Sequence, residues 1–382
     1  MANISGEKSQ PRVTPDDQRT QAANIQILWA YPLLIAVAEV TTVVISPQAG
    51  LIAHGLLLVM LIIHRAITPR EAEQQLTLAL LLAPLTRVLS LALPLNHISQ
   101  PYWYGLIALP LLVVAWLTGR RLRLSRRKLG LRPGNLLLQG MVAAGGLGLG
   151  AAAYAILRPA PMAGDLALHA PLLSALAIVI CGGLVEEIIF RGVLQAAAVR
   201  ALGRWAMIYG ALVFAMLQIG YRSPEYLLLA LGAGLLFAYI ARLSGSILGV
   251  ALAHGMANGT LLFLMPALTA NPAGPAARLA PWAIGAGTLL ALSACGMLLR
   301  QALGRRGAPE AVAPGIQPGV LRELRIRSNL TYVQLALRCG ISARLLAELE
   351  YGLCPLLPEH IDLITAGLRI KQQTALPAAH KR

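Results

Sequence analysis

Charge is scarce in this 382-residue sequence: only 13% of its residues are Asp, Glu, Lys or Arg, about half the share in an ordinary soluble domain. Acidic residues are scarcer still, 16 against 32 Lys and Arg. That scarcity argues against a soluble enzyme. With 57% hydrophobic residues and a mean hydropathy of +0.66, the composition is that of a chain with many membrane spans. The positive excess is not in itself a nucleic-acid signal, because cytoplasmic loops of such proteins collect Lys and Arg. Cysteine is also sparse. Cys181, Cys295, Cys339 and Cys354 lie far apart with no C-x-x-C pair, so neither a disulfide framework nor a zinc knuckle is indicated. The first 25 residues are polar and lack an early apolar core, which argues against a cleavable signal peptide and reads as a disordered cytoplasmic tail.

What is abundant is apolar sequence in long runs. They fall at about 27–46, 50–63, 76–95, 103–118, 135–157, 171–198, 205–220, 226–243, 247–266 and 279–300. Those at 50–63 and 205–220 are short for a span, so the expected fold is all-α, a polytopic transmembrane bundle of about 8–10 spans. Basic residues alternate between the intervening loops. One side carries Lys8, Arg12, Arg19, Arg65, Arg70, the loop 119–134 with its six arginines and Lys128, and then Arg200, Arg204 and Arg242. The other carries Arg158, Arg222 and Arg278. This asymmetry predicts a multi-pass protein of the inner (plasma) membrane with both termini cytoplasmic. Pro32, Pro84 and Pro110 predict kinks. Glu39 and Arg87, polar outliers in the first and third runs, either pair with each other or reach an interface.

The densest departure from apolarity is Gly182-Gly183-Leu184-Val185-Glu186-Glu187-Ile188-Ile189-Phe190-Arg191-Gly192, inside the run that begins near Pro171. Each ionisable group at the bilayer centre costs roughly 2.5–3.5 kcal/mol on insertion scales, so three in six positions need partners or a function. At helical spacing Glu187 and Arg191 pair at i and i+4, while Glu186 points about 100° away. A packing ion pair explains Glu187 and Arg191 but not Glu186. Two further polar groups occur in later runs: Gln218, at the end of Phe214-Ala215-Met216-Leu217-Gln218, and the pair His254 and Asn258, one turn apart in Ala251-Leu252-Ala253-His254-Gly255-Met256-Ala257-Asn258-Gly259. Gly255 and Gly259 permit close helix approach there.

Glu-Glu-x-x-x-Arg, then Phe-x-x-x, then His-x-x-x-Asn on successive apolar helices resembles the CPBP family, the CAAX-processing and bacteriocin-processing intramembrane proteases also called the Abi family. The resemblance covers roughly residues 120–266, including Lys128-Leu129-Gly130-Leu131-Arg132 ahead of the core. It implies that Glu186 is the general base activating water, that Glu187 and Arg191 support it, and that His254 with Asn258 holds the water or the oxyanion. The family's second motif ends in His, and here Gln218 stands in its place. Gln orients water but takes no proton and binds zinc poorly. One His with carboxylates is a thin zinc set, so no cofactor and no metal site is expected.

Residues 301–318 turn to Gly, Ala, Pro and Arg and read as a linker; 319–372 regain ordinary charge and helical periodicity, and 373–382 read as a tail. Within 321–370, Thr331 and Ser342 are placed to N-cap short helices around a turn at Cys339-Gly340. This stretch resembles the Cro/repressor-type helix-turn-helix, which implies DNA contact through Thr331, Ser342 and Arg344 at the start of a recognition helix. Its charge is slight, seven basic against five acidic residues from Arg322 to Lys371, with no basic stripe to grip a phosphate backbone. Docking to a cytoplasmic protein is therefore an equal expectation.

The domains expected are a tail (1–25), N-terminal transmembrane helices (26–118), a CPBP-type core with a last span (119–300), the linker, the helix-turn-helix domain (319–372) and the terminal tail. The expected function is glutamate-dependent cleavage of a peptide or protein substrate in the bilayer. Two alternatives stay open: an inactive scaffold or immunity-type protein, favoured by Gln218, and a membrane-anchored transcription regulator.

Overall fold

The computed structural model describes residues 15–93, 100–159, 178–307, 318–351 and 358–368. All regular structure among them is helical. The chain divides into two units, Met1–Arg300 and Gln301–Arg382.

The first unit holds α1 (Pro15–Val44), α2 (Pro47–Ile67), α3 (Glu71–Leu80), α4 (Leu82–Ala92), α5 (Gln100–Arg121) and α6 (Leu136–Leu157). Next comes α7, an unbroken helix made of Ile178–Leu184, Val185–Glu187, Ile188–Leu194 and Gln195–Leu202. After it come α8 (Ala206–Met216), α9 (Pro224–Ser244) and α10 (Leu248–Gly259, running on through Thr260–Leu264 and Met265–Ala270). The division between the units falls within α11 (Pro275–Gly307). Eight helical stretches among the described residues are long and apolar enough to cross a bilayer, and one of them, Val179–Tyr221, contains both α7 and α8. The protein is a multi-pass membrane protein. Large apolar side chains such as Leu33, Leu56, Leu109, Leu228 and Trp282 face outward, as a lipid-facing surface requires.

Helix starts follow their caps. Ser46 accepts a hydrogen bond from the Ala49 N–H (3.1 Å) with Pro47 in the first turn, and Asn135 and Ser223 do the same for α6 and α9. α1 begins at Pro15, earlier than the polar composition of 1–25 predicts. Pro15 followed by Asp16 and Asp17 is itself a helix-start signal. The remainder of that expected tail, the opening of the run at 171–177, the linker's 308–317, Pro355 and the terminal tail lie outside the described residues. Pro84 lacks the N–H that would reach the Leu80 carbonyl, and the chain breaks at Leu81 between α3 and α4.

Small residues set the central packing. A Cβ on Gly146 or Gly150 of α6 would lie 2.2 or 2.4 Å from the carbonyl oxygens of Ala253 and Ala257 on α10. On the other flank of α10, a Cβ on Gly183 would lie 2.4 Å from the Ala251 oxygen, and one on Gly255 2.5 Å from the Val179 oxygen. Only glycine permits these backbone approaches. They clamp α10 between α6 and α7 and bring the His254 turn against the Glu186-Glu187 turn. Gly259 makes no such approach; its nearest neighbour would stand at 4.0 Å.

The second unit contains α12 (Pro318–Arg327), α13 (Tyr332–Cys339), α14 (Ala343–Glu350) and α15 (Pro358–Leu368) around a core of Leu321, Leu335, Ala336, Leu346, Leu349 and Ile364. Thr331 and Gln334 form a reciprocal capping box, Ser342 caps α14, and Gly340 takes the left-handed conformation that closes α13. Arg325 grips Glu350 with two hydrogen bonds (2.6 and 3.1 Å) and lies 3.9 Å over the Tyr332 ring. The hydrogen bond to Glu350 holds the Arg325 guanidinium above its ordinary pKa, and burial raises the Tyr332 hydroxyl.

Candidate active site

The glutamate turn lies where α7 widens. Ile178–Leu184 and Ile188–Leu194 both run in the i to i+5 pattern, with Val185–Glu187 between them. Such widened turns re-aim side chains and gather at functional positions. The i, i+4 pairing survives: Arg191 Nη1 donates to Glu187 Oε1 at 2.7 Å, with both side chains buried. The same Glu187 oxygen accepts a hydrogen bond from His254 Nδ1 at 2.8 Å. That contact leaves His254 Nε2 directed towards Glu186, 3.8 Å from Oε2. Glu187 is fully buried, whereas the Glu186 side chain keeps about a third of its surface open (34%). Glu187 is therefore spent on structure, while Glu186 makes no hydrogen bond among the described residues and has only the long contact with His254.

Aromatic rings wrap the cation. Phe214 of α8, Phe237 of α9 and Phe190 of α7 place their centroids 4.7, 5.6 and 5.9 Å from the Arg191 guanidinium carbon. Phe214 and Phe237 also flank the His254 ring, at 5.8 and 6.0 Å. The chain has only four phenylalanines, so three at one guanidinium is a concentrated investment. Arg191 Nη2 donates to the Gly234 carbonyl and Gln195 Nε2 to the Ala238 carbonyl, fixing α9 against α7.

Glu186 and His254 open onto different cavities. Glu186 opens into one of about 210 Å³, shared with Cys181 and with Thr86, Arg87 and Ser90 of α4. His254 and Asn258 line another of about 60 Å³ with Phe214 and Tyr226. The structure thus brings Glu186, Glu187, Arg191 and His254 into one polar cluster and sets Asn258 one turn along the same face of α10. Gln218 is half-buried after α8 and accepts the Tyr221 N–H on its carbonyl. Among the described residues, no hydrogen bond from its side-chain amide reaches Glu186, Glu187 or His254. In the second unit Arg344 is exposed and pairs with Glu348 at 2.9 Å.

Sequence reading singled out neither Phe237 nor His54. The rarity of phenylalanine was a usable signal for the first. Glu39 and Arg87 do pair, with Arg87 Nε and Nη2 each donating to a Glu39 oxygen (2.5 and 3.0 Å). Buried His54 adds Nε2 at 3.2 Å from Glu39. This second polar group presents Arg87 to the cavity that Glu186 occupies.

A metal fits this donor set poorly. Glu187 Oε1 and His254 Nδ1 are already committed to each other and to Arg191. Only Glu186 and His254 Nε2 remain, where a catalytic zinc takes three protein ligands. No group of three His, Cys, Asp or Glu among the described residues is arranged to hold a metal ion.

These features define a polytopic helical membrane protein with a glutamate–histidine–arginine cluster buried between its helices. Residues 168–260, which carry that cluster, match the family model described as type II CAAX prenyl endopeptidase Rce1-like. The match agrees with the resemblance carried by the motifs and supports an intramembrane protease. No curated protein and no solved structure matches the chain.

Proposed function

We propose that the protein is a glutamate-dependent intramembrane endopeptidase. The observation that carries this reading is the division of labour between adjacent carboxylates: Glu187 hydrogen-bonded to Arg191 and His254, Glu186 at the longer distance of 3.8 Å from His254 Nε2 and open to a cavity. In this reading a water sits between Glu186 and His254 Nε2. Glu186 takes one of its protons as the oxygen attacks the scissile carbonyl carbon. The Asn258 amide donates to the oxyanion that forms. When the intermediate collapses, the C–N bond breaks and Glu186 returns the proton to the leaving amine. Glu187 holds the His254 ring with Nδ1–H donating, which leaves Nε2 as the acceptor facing the water. No step runs through a metal.

The substrate is a peptide or protein in the bilayer. The asymmetry of the basic loops supports a plasma-membrane protein with both termini cytoplasmic, and in this reading the second unit is a cytoplasmic regulatory module. Its capped helices around Gly340 support a helix-turn-helix reading, with Thr331, Ser342 and Arg344 towards DNA or a protein partner. A specific observation favours the rival reading of an inactive scaffold: the Gln218 amide makes no hydrogen bond to the cluster. The experiment is cleavage of prenylated and leader-type peptides in nanodiscs by wild type and Gln218→His, each with and without a chelator. Cleavage by wild type that ignores the chelator supports the endopeptidase. Cleavage by Gln218→His alone identifies a lapsed enzyme.

A further inference from the structure

The basic loop between α5 and α6 is built rather than loose. The Leu129 N–H donates to the Ser125 carbonyl (3.0 Å), Leu131 N–H to Arg126 (2.8 Å) and Gly130 N–H to Arg127 (3.1 Å). The loop is then fastened to α10 by the Ile247 N–H on the Gly130 carbonyl, at 3.0 Å. Gly130 has φ +68, and a Cβ there would come within 2.8 Å of the Ile247 side chain, so the approach needs glycine. The loop also presses on α7, where a Cβ on Gly192 would stand 3.3 Å from the Leu129 oxygen.

This scaffold holds Arg127 and Lys128 beside Arg200 near the end of α7 and Arg242 near the end of α9, around a cavity of about 440 Å³ whose lining also includes Arg191, already paired with Glu187. Its lining includes no Asp or Glu. Arg200 Nη1 donates to the neutral Gln75 and to the Leu122 carbonyl, and among the described residues Arg242 Nη1 meets the Met207 sulfur at 3.5 Å and no carboxylate. Among the described residues the side chains of Arg127 and Lys128 have no ion-pair or hydrogen-bond partner. The charge asymmetry of the loops accounts for basic residues at this end of the bundle. It does not account for four of them converging on one glycine-stitched cavity with an apolar floor of Leu124, Val199 and Ile247. All four are exposed, so solvent screens their mutual repulsion, and an anion joining them would relieve what remains.

We propose that this cavity is a binding site for an anionic phospholipid headgroup, its phosphate held by Arg127, Lys128, Arg200 and Arg242 and its glycerol end on the apolar floor. Guanidinium groups suit a phosphate through paired N–H donors. Basic pockets between helices at the cytoplasmic surface are where headgroup phosphates lie. A lipid rather than free phosphate is indicated by the apolar floor and by the position at the ends of membrane-crossing helices. The cavity also reaches Arg191 of the polar cluster, but headgroup binding by the four exposed cations requires no proteolytic step.

The test is lipid binding by the full-length protein, read by native mass spectrometry from detergent, with phosphatidylglycerol, phosphatidylcholine and inorganic phosphate as separate probes. Wild type is expected to bind phosphatidylglycerol about tenfold more tightly than phosphatidylcholine, weakening with salt. Lys128→Gln with Arg242→Gln is expected to erase that preference, while Arg158→Gln, at the other end of the bundle, leaves it intact. Should the double variant not fold, single Lys128→Glu reads the same preference. Equal binding of both lipids by wild type, or a preference untouched by the variants, overturns the proposal. Inorganic phosphate competing as well as the lipid overturns the lipid assignment.

Discussion

His254 Nδ1 lies 2.8 Å from Glu187 Oε1, an oxygen that also accepts Arg191 Nη1 at 2.7 Å. One carboxylate oxygen thus joins α10 to α7 and fixes which histidine nitrogen faces Glu186. Changing Glu187 to Gln offers the ring an amide where a carboxylate stood and strips Arg191 of its counter-charge. Peptide cleavage in nanodiscs is expected to fall about 10²–10⁴-fold, with the protein still inserted as judged by circular dichroism. Wild-type rates in Glu187→Gln contradict the assigned role.

The glycine clamp makes a prediction that does not depend on a substrate. Gly183→Ala puts a methyl 2.4 Å from the Ala251 carbonyl oxygen, a backbone atom that cannot step aside. A loss of about 1–3 kcal/mol is expected, visible as a lowered thermal midpoint in detergent. Gly232→Ala, at a position with open space, is the control and should leave the midpoint unchanged.

The pair Arg87–Glu39 joins α4 to α1, and Glu39 is fully buried. Arg87→Ala leaves that carboxylate with His54 alone and is expected to cost about 3–5 kcal/mol. Adding Glu39→Gln removes the stranded charge and should recover much of the loss. Additive losses in the double variant, measured by chemical denaturation in detergent, contradict the pairing as the cause.

In the second unit the alkaline limit has a definite sign. Tyr332, raised by burial, and Arg325, raised by its hydrogen bond to Glu350, both hold their protons more tightly when folded. Their contribution is fully present below the ordinary tyrosine range near pH 10 and falls as pH rises through the higher folded values. A fragment carrying Gln301–Arg382 is expected to keep a constant thermal midpoint from pH 7 to about 9.5 and lose it above. Tyr332→Phe should flatten part of that decline. A midpoint that rises above pH 10 contradicts the assignment.

The helices and the heart of the cluster were legible because charges inside apolar runs are expensive. Glu186, Glu187, Arg191 and His254 stood out on that ground alone, and the i, i+4 relation of Glu187 and Arg191 held through the widened turns of α7. What was not legible depended on which helices meet. His54 has no neighbour in sequence that marks it as the third member of the Glu39–Arg87 group, and Phe237 reads as one more apolar residue until α9 packs on Arg191. The i to i+5 turns of α7 are reported by no periodicity in the sequence. The position of Gln218 rests on the tight turn at Ile219–Tyr221, whose course is set by the helices on either side.

The central claim is that Glu186, not Glu187, is the base. The most direct measurement compares Glu186→Gln with wild type for cleavage of the same peptide in nanodiscs, alongside the thermal midpoint of each. The account predicts that Glu186→Gln abolishes cleavage while leaving the midpoint nearly unchanged, because Glu186 is partly exposed and its one ion-pair contact among the described residues, with His254 Nε2, is long at 3.8 Å. Cleavage by Glu186→Gln at the wild-type rate contradicts the account.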